Sequence, residues 1–422
     1  MKRVIGIGIL TVLVGLASTS PANAAGAAYD ADTLIVKYAD GASASQRSLT
    51  GRLAGMLQSL GSLRGVGAQV VRVTGDPAAV AARLNRSSAV LYAEPNYIVH
   101  ATAPALPNDS LFGQLYGLNN TGQGGGTADA DIDAPEGWEA AGLGAFPPAL
   151  SGAKIGIVDT GVLAGHEDLA GKVVNCAGVR SAGIGVLALL TLPLLADPTI
   201  VAGRCADDNG HGTHVAGTAA AGANNGRGIA GVAFNSPLAI CKALDRRGAG
   251  AVAGIANCIG YLAGNGAKVI SMSLGTAADS ATLRNAVAGA SQSALIVAAS
   301  GNDGTSTPSY PANYPQVVSV AATDNRDQRA SFSTFNADVE VAAPGASILS
   351  TWNNGAYNTI SGTSMATPLA AGVAAMIAGR TAGGPSAWRE KLDRSVDDLG
   401  PAGRDTSFGF GRVNLQKAVT AP

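Results

Sequence analysis

The hydrophobic and polar positions of the chain fall into two regimes. Over residues 25 to about 101, short apolar runs alternate with mixed stretches. Residues 33–38 read as a strand, 43–60 as a helix and 68–73 as a second strand. Asp76 and Pro77 open a second helix that runs to Leu84, because Asp caps a helix and the fixed φ of Pro suits its first turn. Residues 89–100 return to extended structure. The order is βαβ-like and predicts helices on one face of a small sheet. A Pro-containing stretch, 101–108, follows as a candidate linker and cleavage region. From residue 109 the rhythm changes. Continuous apolar runs at 154–158, 238–240, 267–270, 295–297 and 317–320 alternate with helical segments. Such runs fit buried parallel strands, so a three-layer α/β/α domain is expected. No internal repeat interrupts it.

Two segments stand outside this rhythm. Lys2 and Arg3 precede an apolar run at 4–17 and a Pro-Ala-Asn-Ala site. The run falls short of the roughly 20 residues of a membrane span, which predicts a cleaved export signal at 1–24. The expected division is then 1–24 signal, 25–106 leader unit and 107–422 main domain. Residues 184–195 are almost wholly apolar and lie between Cys176 and Cys205. A loop packed on the domain body and an exposed partner patch both remain open for them.

Composition sharpens the picture. Of 422 residues, 47% are hydrophobic and 14% charged, which favours a packed globular protein over a disordered one. The net charge of -1 gives no basic excess and no pointer to nucleic acid. The 4 cysteines allow three pairings or four free thiols. Export favours disulfides, and Cys176–Cys205 with Cys241–Cys258 is preferred because each pair brackets one local segment.

Three motifs carry candidate chemistry. Asp159-Thr160-Gly161 ends an apolar run, where open α/β sheets place their sites. His211-Gly212-Thr213-His214 starts a small-residue helix, with His214 read as structural because the zinc-peptidase pattern His-Glu-x-x-His is absent. Gly362-Thr363-Ser364-Met365-Ala366 opens an alanine-rich helix that runs to about residue 378. There, exposed N–H groups can receive an oxyanion. Alone, each is an ordinary turn or cap. Together they supply a weak nucleophile, a base that titrates near neutrality and a carboxylate to orient it. An α/β-hydrolase would instead run Ser, Asp, His and carry Gly-x-Ser-x-Gly; residue 366 here is Ala.

With these neighbourhoods the chain, from about 107 to 420, resembles a subtilisin-like serine protease, and the leader resembles that family's inhibitory propeptide. The resemblance implies an α/β fold with a mostly parallel sheet, preceded by a ferredoxin-like unit. It implies a secreted, monomeric serine endopeptidase acting on polypeptides by an acyl-enzyme route and self-processed from its precursor. It further implies that the propeptide acts as an intramolecular inhibitor and that no cofactor serves the chemistry. Asp159, His211 and Ser364 would form the triad, and Asn302 in Ala298-Ala299-Ser300-Gly301-Asn302 would donate to the oxyanion. Ser273-Leu274-Gly275 and Gly248-Ala249-Gly250 would pair with the substrate backbone as a strand does. Asp303 and Ser309 would border the first specificity pocket, where an acid would suit basic side chains. A structural calcium would be held by the side chains of Asp168 and Asn225 and by carbonyls in the segment containing Ala223, Arg227 and Ile229. Residues 97–101 would lie in the substrate groove after self-cleavage.

Overall fold

The structure, a computed structural model, describes residues 29–97, 104–147, 149–180 and 197–420. The expected signal at 1–24, the apolar segment 184–195 and residues 98–101 of the expected cleavage segment lie outside the described residues. The chain forms two compact units divided between Ala103 and Pro104.

The first unit contains β1 (Tyr29–Tyr38), α1 (Ala44–Ala54), β2 (Met56–Leu63), β3 (Ala68–Val73), α2 (Pro77–Leu84) and β4 (Val90–Tyr97). Its sheet is antiparallel in the order β2-β3-β1-β4, the ferredoxin-like arrangement. Ser43 and Gln46 form a capping box on α1, and Asp76 accepts from Ala78 N and Ala79 N to cap α2. The helix expected over 43–60 is shorter than its pattern suggested. Gly55, at φ 93°, adopts the left-handed conformation that ends a helix, and residues 56–63 pair with β3 instead. The core of this unit is small, built on Leu34, Val36, Val71, Val80 and Leu84.

The second unit contains α3 (Ala134–Ala140), β5 (Ile155–Asp159), β6 (Val173–Arg180), β7 (Asp197–Ala202), α4 (His211–Ala220) and β8 (Leu238–Lys242). Then come α5 (Val252–Gly264), β9 (Val269–Met272), α6 (Ala281–Ala290), β10 (Leu295–Ala299), β11 (Val317–Thr323) and β12 (Val339–Pro344). A hairpin of β13 (Ile348–Thr351) and β14 (Tyr357–Ile360) leads into α7 (Thr363–Ala378), α8 (Pro385–Arg394), β15 (Val396–Asp397), β16 (Arg412–Val413) and α9 (Leu415–Thr420).

The main sheet runs β15-β16-β12-β11-β10-β9-β5-β8-β6-β7, parallel from β16 to β6 and antiparallel only at its edges. Side chains alternate across it as a strand requires. Ile155 and Ile157 enter the core shared with α4 and α7, whereas Val158 enters the core shared with α5 and α6. All five apolar runs singled out above are strands, because strands covered on both faces have no polar side to betray them. Disulfides join Cys176 to Cys205 and Cys241 to Cys258. The second ties β8 to α5.

Candidate active site

Strand order reverses at β5. The chain passes from β5 through β6 to β8 on one side, then crosses to β9 on the other. Open α/β sheets offer a crevice at the carboxyl ends of such strands. Asp159 is the last residue of β5, and Ser273 follows the end of β9.

Asp159 is fully buried. Its Oδ1 lies 2.8 Å from His211 Nδ1 and accepts the Thr160 N–H at 2.7 Å. That contact leaves Nε2 of His211 for the cleft. His211 is the first residue of α4, and its side chain is 24% exposed. Burial alone would depress the imidazole pKa. The charge and hydrogen bond of Asp159, aided by the charge of Asp207, outweigh that effect and raise it above 6.5.

The start of α4 is clamped by Asp207. Its Oδ1 accepts from Thr160 Oγ1 at 2.9 Å and from Asn209 N and Gly210 N at 3.0 Å, while its Oδ2 accepts from Thr213 N at 2.9 Å and Thr213 Oγ1 at 2.6 Å. Burial opposes ionisation of Asp207, yet these donors bring its pKa below the usual carboxylate value. Gly210 is obligatory here. Its φ is 116°, and a Cβ would stand 2.4 Å from the Trp352 ring. His214 is buried, with Nε2 3.0 Å from the Ile348 carbonyl, and burial pushes its pKa down to about 4. It is a neutral packing residue.

Ser364 is the second residue of α7, among the N–H groups that lack an intrahelical acceptor. Its hydroxyl donates to the Ser273 carbonyl at 3.3 Å, and Ser273 Oγ donates to the Ser364 carbonyl at 2.8 Å. Among the described residues no hydrogen bond joins the Ser364 hydroxyl to His211. Asn302 follows β10. Its Oδ1 accepts from Thr363 N at 2.8 Å and Thr363 Oγ1 at 2.9 Å. An amide N–H can only donate, so the Asn302 oxygen must face Thr363 and its NH₂ points elsewhere.

Ser364, Thr363, Asn302, Asp303, Leu274, Gly275 and Ser309 line one open cleft. Ser309 lies close to Gly275, where a Cβ would meet its Oγ at 2.4 Å. The Gly248-Ala249-Gly250 segment follows β8; in the connection between them, Ala243 N and Leu244 N donate to the Asp159 carbonyl at 2.9 and 3.1 Å. Gly250 packs against backbone, with a Cβ position only 2.4 Å from the Ala243 carbonyl.

The expected calcium ligands lie on a separate cluster. Asp168 Oδ1 accepts from Asn225 Nδ2 at 2.9 Å, and its Oδ2 accepts from Ile229 N at 2.9 Å and the Tyr357 hydroxyl at 2.8 Å. Asn225 Oδ1 accepts the Arg227 N–H at 2.8 Å. The Arg227 guanidinium is 3.8 Å from Glu167, so its charge is partly balanced. Asp109, which the sequence reading missed, joins this cluster by accepting from Asn224 N at 2.6 Å and Asn225 N at 3.3 Å. Burial raises the Asp109 pKa, and the Asp168 charge adds to it. Carboxylates with amide and carbonyl oxygens are the hard donors calcium takes, but among the described residues no three His, Cys, Asp or Glu side chains gather here in a group that could hold a metal ion, and both Asp168 oxygens and the Asn225 oxygen accept protein hydrogen bonds. Ala223 has no side-chain donor to add.

Asp207 and Asp109 escaped the sequence reading for different reasons. Asp207 stands four residues before His211 in a turn-prone run, a local signal that was legible. Asp109 lies more than a hundred residues from its partners, and nothing local marks it.

Comparison with known proteins agrees with this architecture. Residues 151–411 match the Subtilase family, and residues 17–96 match the Fervidolysin N-terminal prodomain. The chain is 43% identical over 291 residues to thermitase of Thermoactinomyces vulgaris, covering 68% of this chain and 93% of that protein. It is 39% identical over 348 residues to the thermophilic serine proteinase of Bacillus sp. (strain AK1), covering 82% of this chain and 77% of that protein. Among solved structures, the S41 psychrophilic protease superposes with a TM-score of 0.56 at 34% identity, covering 63% of this chain and 92% of that one. Sheet order, site position and both family matches lead to one conclusion: the chain belongs to the subtilase family and is a subtilisin-like serine endopeptidase with an N-terminal prodomain.

Proposed function

We propose that Asp159, His211 and Ser364 act as the catalytic triad, with Asn302 as an oxyanion donor. The observation that carries this reading is the 2.8 Å contact between His211 and buried Asp159 at the sheet's switch point, beside the cleft that holds Ser364 and Asn302. In the productive state the Ser364 hydroxyl turns from the Ser273 carbonyl toward His211 Nε2. Such contacts are often formed only with substrate bound. His211 takes the proton as Ser364 Oγ bonds to the peptide carbon. The Asn302 NH₂ and the Ser364 N–H receive the oxyanion. His211 then protonates the departing amine as the C–N bond breaks, and water releases the acyl group by the same route.

The substrate strand runs between Ser273-Leu274-Gly275 and Gly248-Ala249-Gly250, and Asp303 with Ser309 meets the side chain before the cleaved bond. The protein is exported, cuts its own precursor in the linker after the prodomain and works as a monomer. A Ser364→Ala precursor expressed alone stays full length and leaves casein intact, whereas the wild type matures and digests it. Maturation of the variant at the normal rate in a protease-free system contradicts self-processing, and casein digestion by it contradicts the triad.

Asp109, Asp168 and Asn225, with carbonyls of Ala223, Arg227 and Ile229, hold a structural calcium that offsets the repulsion between the two carboxylates. Chelation lowers the thermal midpoint, and Asp168→Asn reduces that sensitivity. An unchanged midpoint on chelation counts against the site.

A further inference from the structure

Lys242, the last residue of β8, lies opposite Asp159 in the sheet register. The chain therefore leaves β8 beside the catalytic carboxylate. Its next residues form a tight turn. Gly248 N donates to the Asp245 carbonyl at 2.9 Å, and Asp245 N donates to the Ala249 carbonyl at 2.8 Å. Asp245 Oδ1 accepts from Arg247 N at 2.8 Å and Ala249 N at 3.1 Å, so this carboxylate is engaged by its own backbone. Asn209 ties the turn to the base: its Nδ2 donates to the Arg246 carbonyl at 3.1 Å, and its Oδ1 accepts the His211 N–H at 3.1 Å.

Arg246 and Arg247 sit at the tip of this turn and are exposed. Among the described residues neither guanidinium has a hydrogen-bond or ion-pair partner. Other cations do: Lys242, at the start of this connection, pairs with Asp208 at 2.5 Å, and Arg227, in the Asp168 cluster, lies near Glu167. Two arginines against one acid leave the turn with a local positive excess in a chain whose overall charge is -1. The cleft that holds Ser364 offers a different sign, since exposed Asp303 lines it.

We infer that Arg246 and Arg247 make the enzyme favour acidic side chains in the part of the polypeptide substrate that passes the 245–250 turn. The inference rests on the peptidase reading above and deepens it. Fixed rim charges attract opposite charge, repel like charge and act chiefly on encounter. Exposed pairs are individually weak, so two together shift kcat/KM by roughly threefold to tenfold. Salt screens the effect, because the Debye length shrinks to about 3 Å at 1 M.

The test uses the mature enzyme and quenched-fluorescence peptides of one backbone. Each position N-terminal to the cleaved bond carries Glu, Gln or Lys in turn. At one or more positions the wild type should cut the Glu peptide roughly three to ten times better than the Gln peptide. The ratio should fall toward one in 1 M salt and invert in Arg246→Glu/Arg247→Glu. A ratio that ignores salt, or is the same in Arg246→Gln and Arg247→Gln as in the wild type, overturns the assignment while peptide cleavage itself stands. Failure of the wild type to cut any peptide defeats the peptidase reading, and this inference with it.

Discussion

At the end of β5, Asp159 and His211 meet as a buried carboxylate and a half-buried imidazole, with Asp207 holding the start of α4 through four hydrogen bonds and Thr160 through a fifth. In the cleft lined by Leu274 and Ser309, Ser364 and Asn302 are placed by neutral groups: the Ser273 carbonyl, the Thr363 N–H and the start of α7. The first half is built from charge, and in the proposed mechanism it decides when a proton can move. The second is built from dipoles, and in the same mechanism it decides how well developing charge is received. Damage to the two halves should therefore differ in kind. Changes on the charged side move the pH profile; changes on the neutral side lower the rate and leave the profile in place.

The largest separation comes from Asp159→Asn. It removes the main group that raises the His211 pKa, while burial, which depresses it, remains. With neutral His211 as the proposed base, activity falls as pH drops through its pKa, and the acid limb of kcat/KM should move to lower pH. The rate should also drop by about 10⁴-fold, the size seen for this carboxylate in related triads, because the imidazole loses its orienting partner. An unmoved acid limb would break the comparison.

Asn302→Leu comes next. It should lower kcat by about 10²–10³-fold, the magnitude known for the corresponding donor in a related subtilisin. KM and the acid limb should stay near their wild-type positions. A displaced limb would show that the neutral half also controls protonation.

Asp207→Asn should have the smallest effect. It keeps an oxygen acceptor but removes a charge that raises the His211 pKa. The acid limb should move in the same direction as for Asp159→Asn and less far, with the maximal rate reduced by less than about tenfold. Full pH–rate profiles of the three variants give the ranking.

Much of this was legible in the chain because function and fold leave local marks. The five apolar runs at 154–158, 238–240, 267–270, 295–297 and 317–320 are buried strands, and Ser364 opens the helix its neighbours implied. Both disulfides follow the local bracketing of the cysteines. Residues 56–60 were misleading, because Leu57 and Leu60 extend the helical pattern of α1. A single left-handed glycine and the need of β3 for a partner decide against it. The contact of Tyr357 with Asp168, like that of Asp109 with Asn224, joins segments far apart in sequence. No window of sequence holds both partners, so only the folded sheet reveals them. The resting bond of Ser364 to Ser273 is equally hidden, since it depends on how two strand ends converge.

The most direct test treats mature enzyme with a serine-directed phosphonylating reagent and maps the adduct by mass spectrometry as activity falls. One label on Ser364, rising in step with inactivation and largely abolished by His211→Ala, is the predicted result. Full activity with Ser364 labelled, or a label of equal rate in the His211→Ala protein, would contradict it.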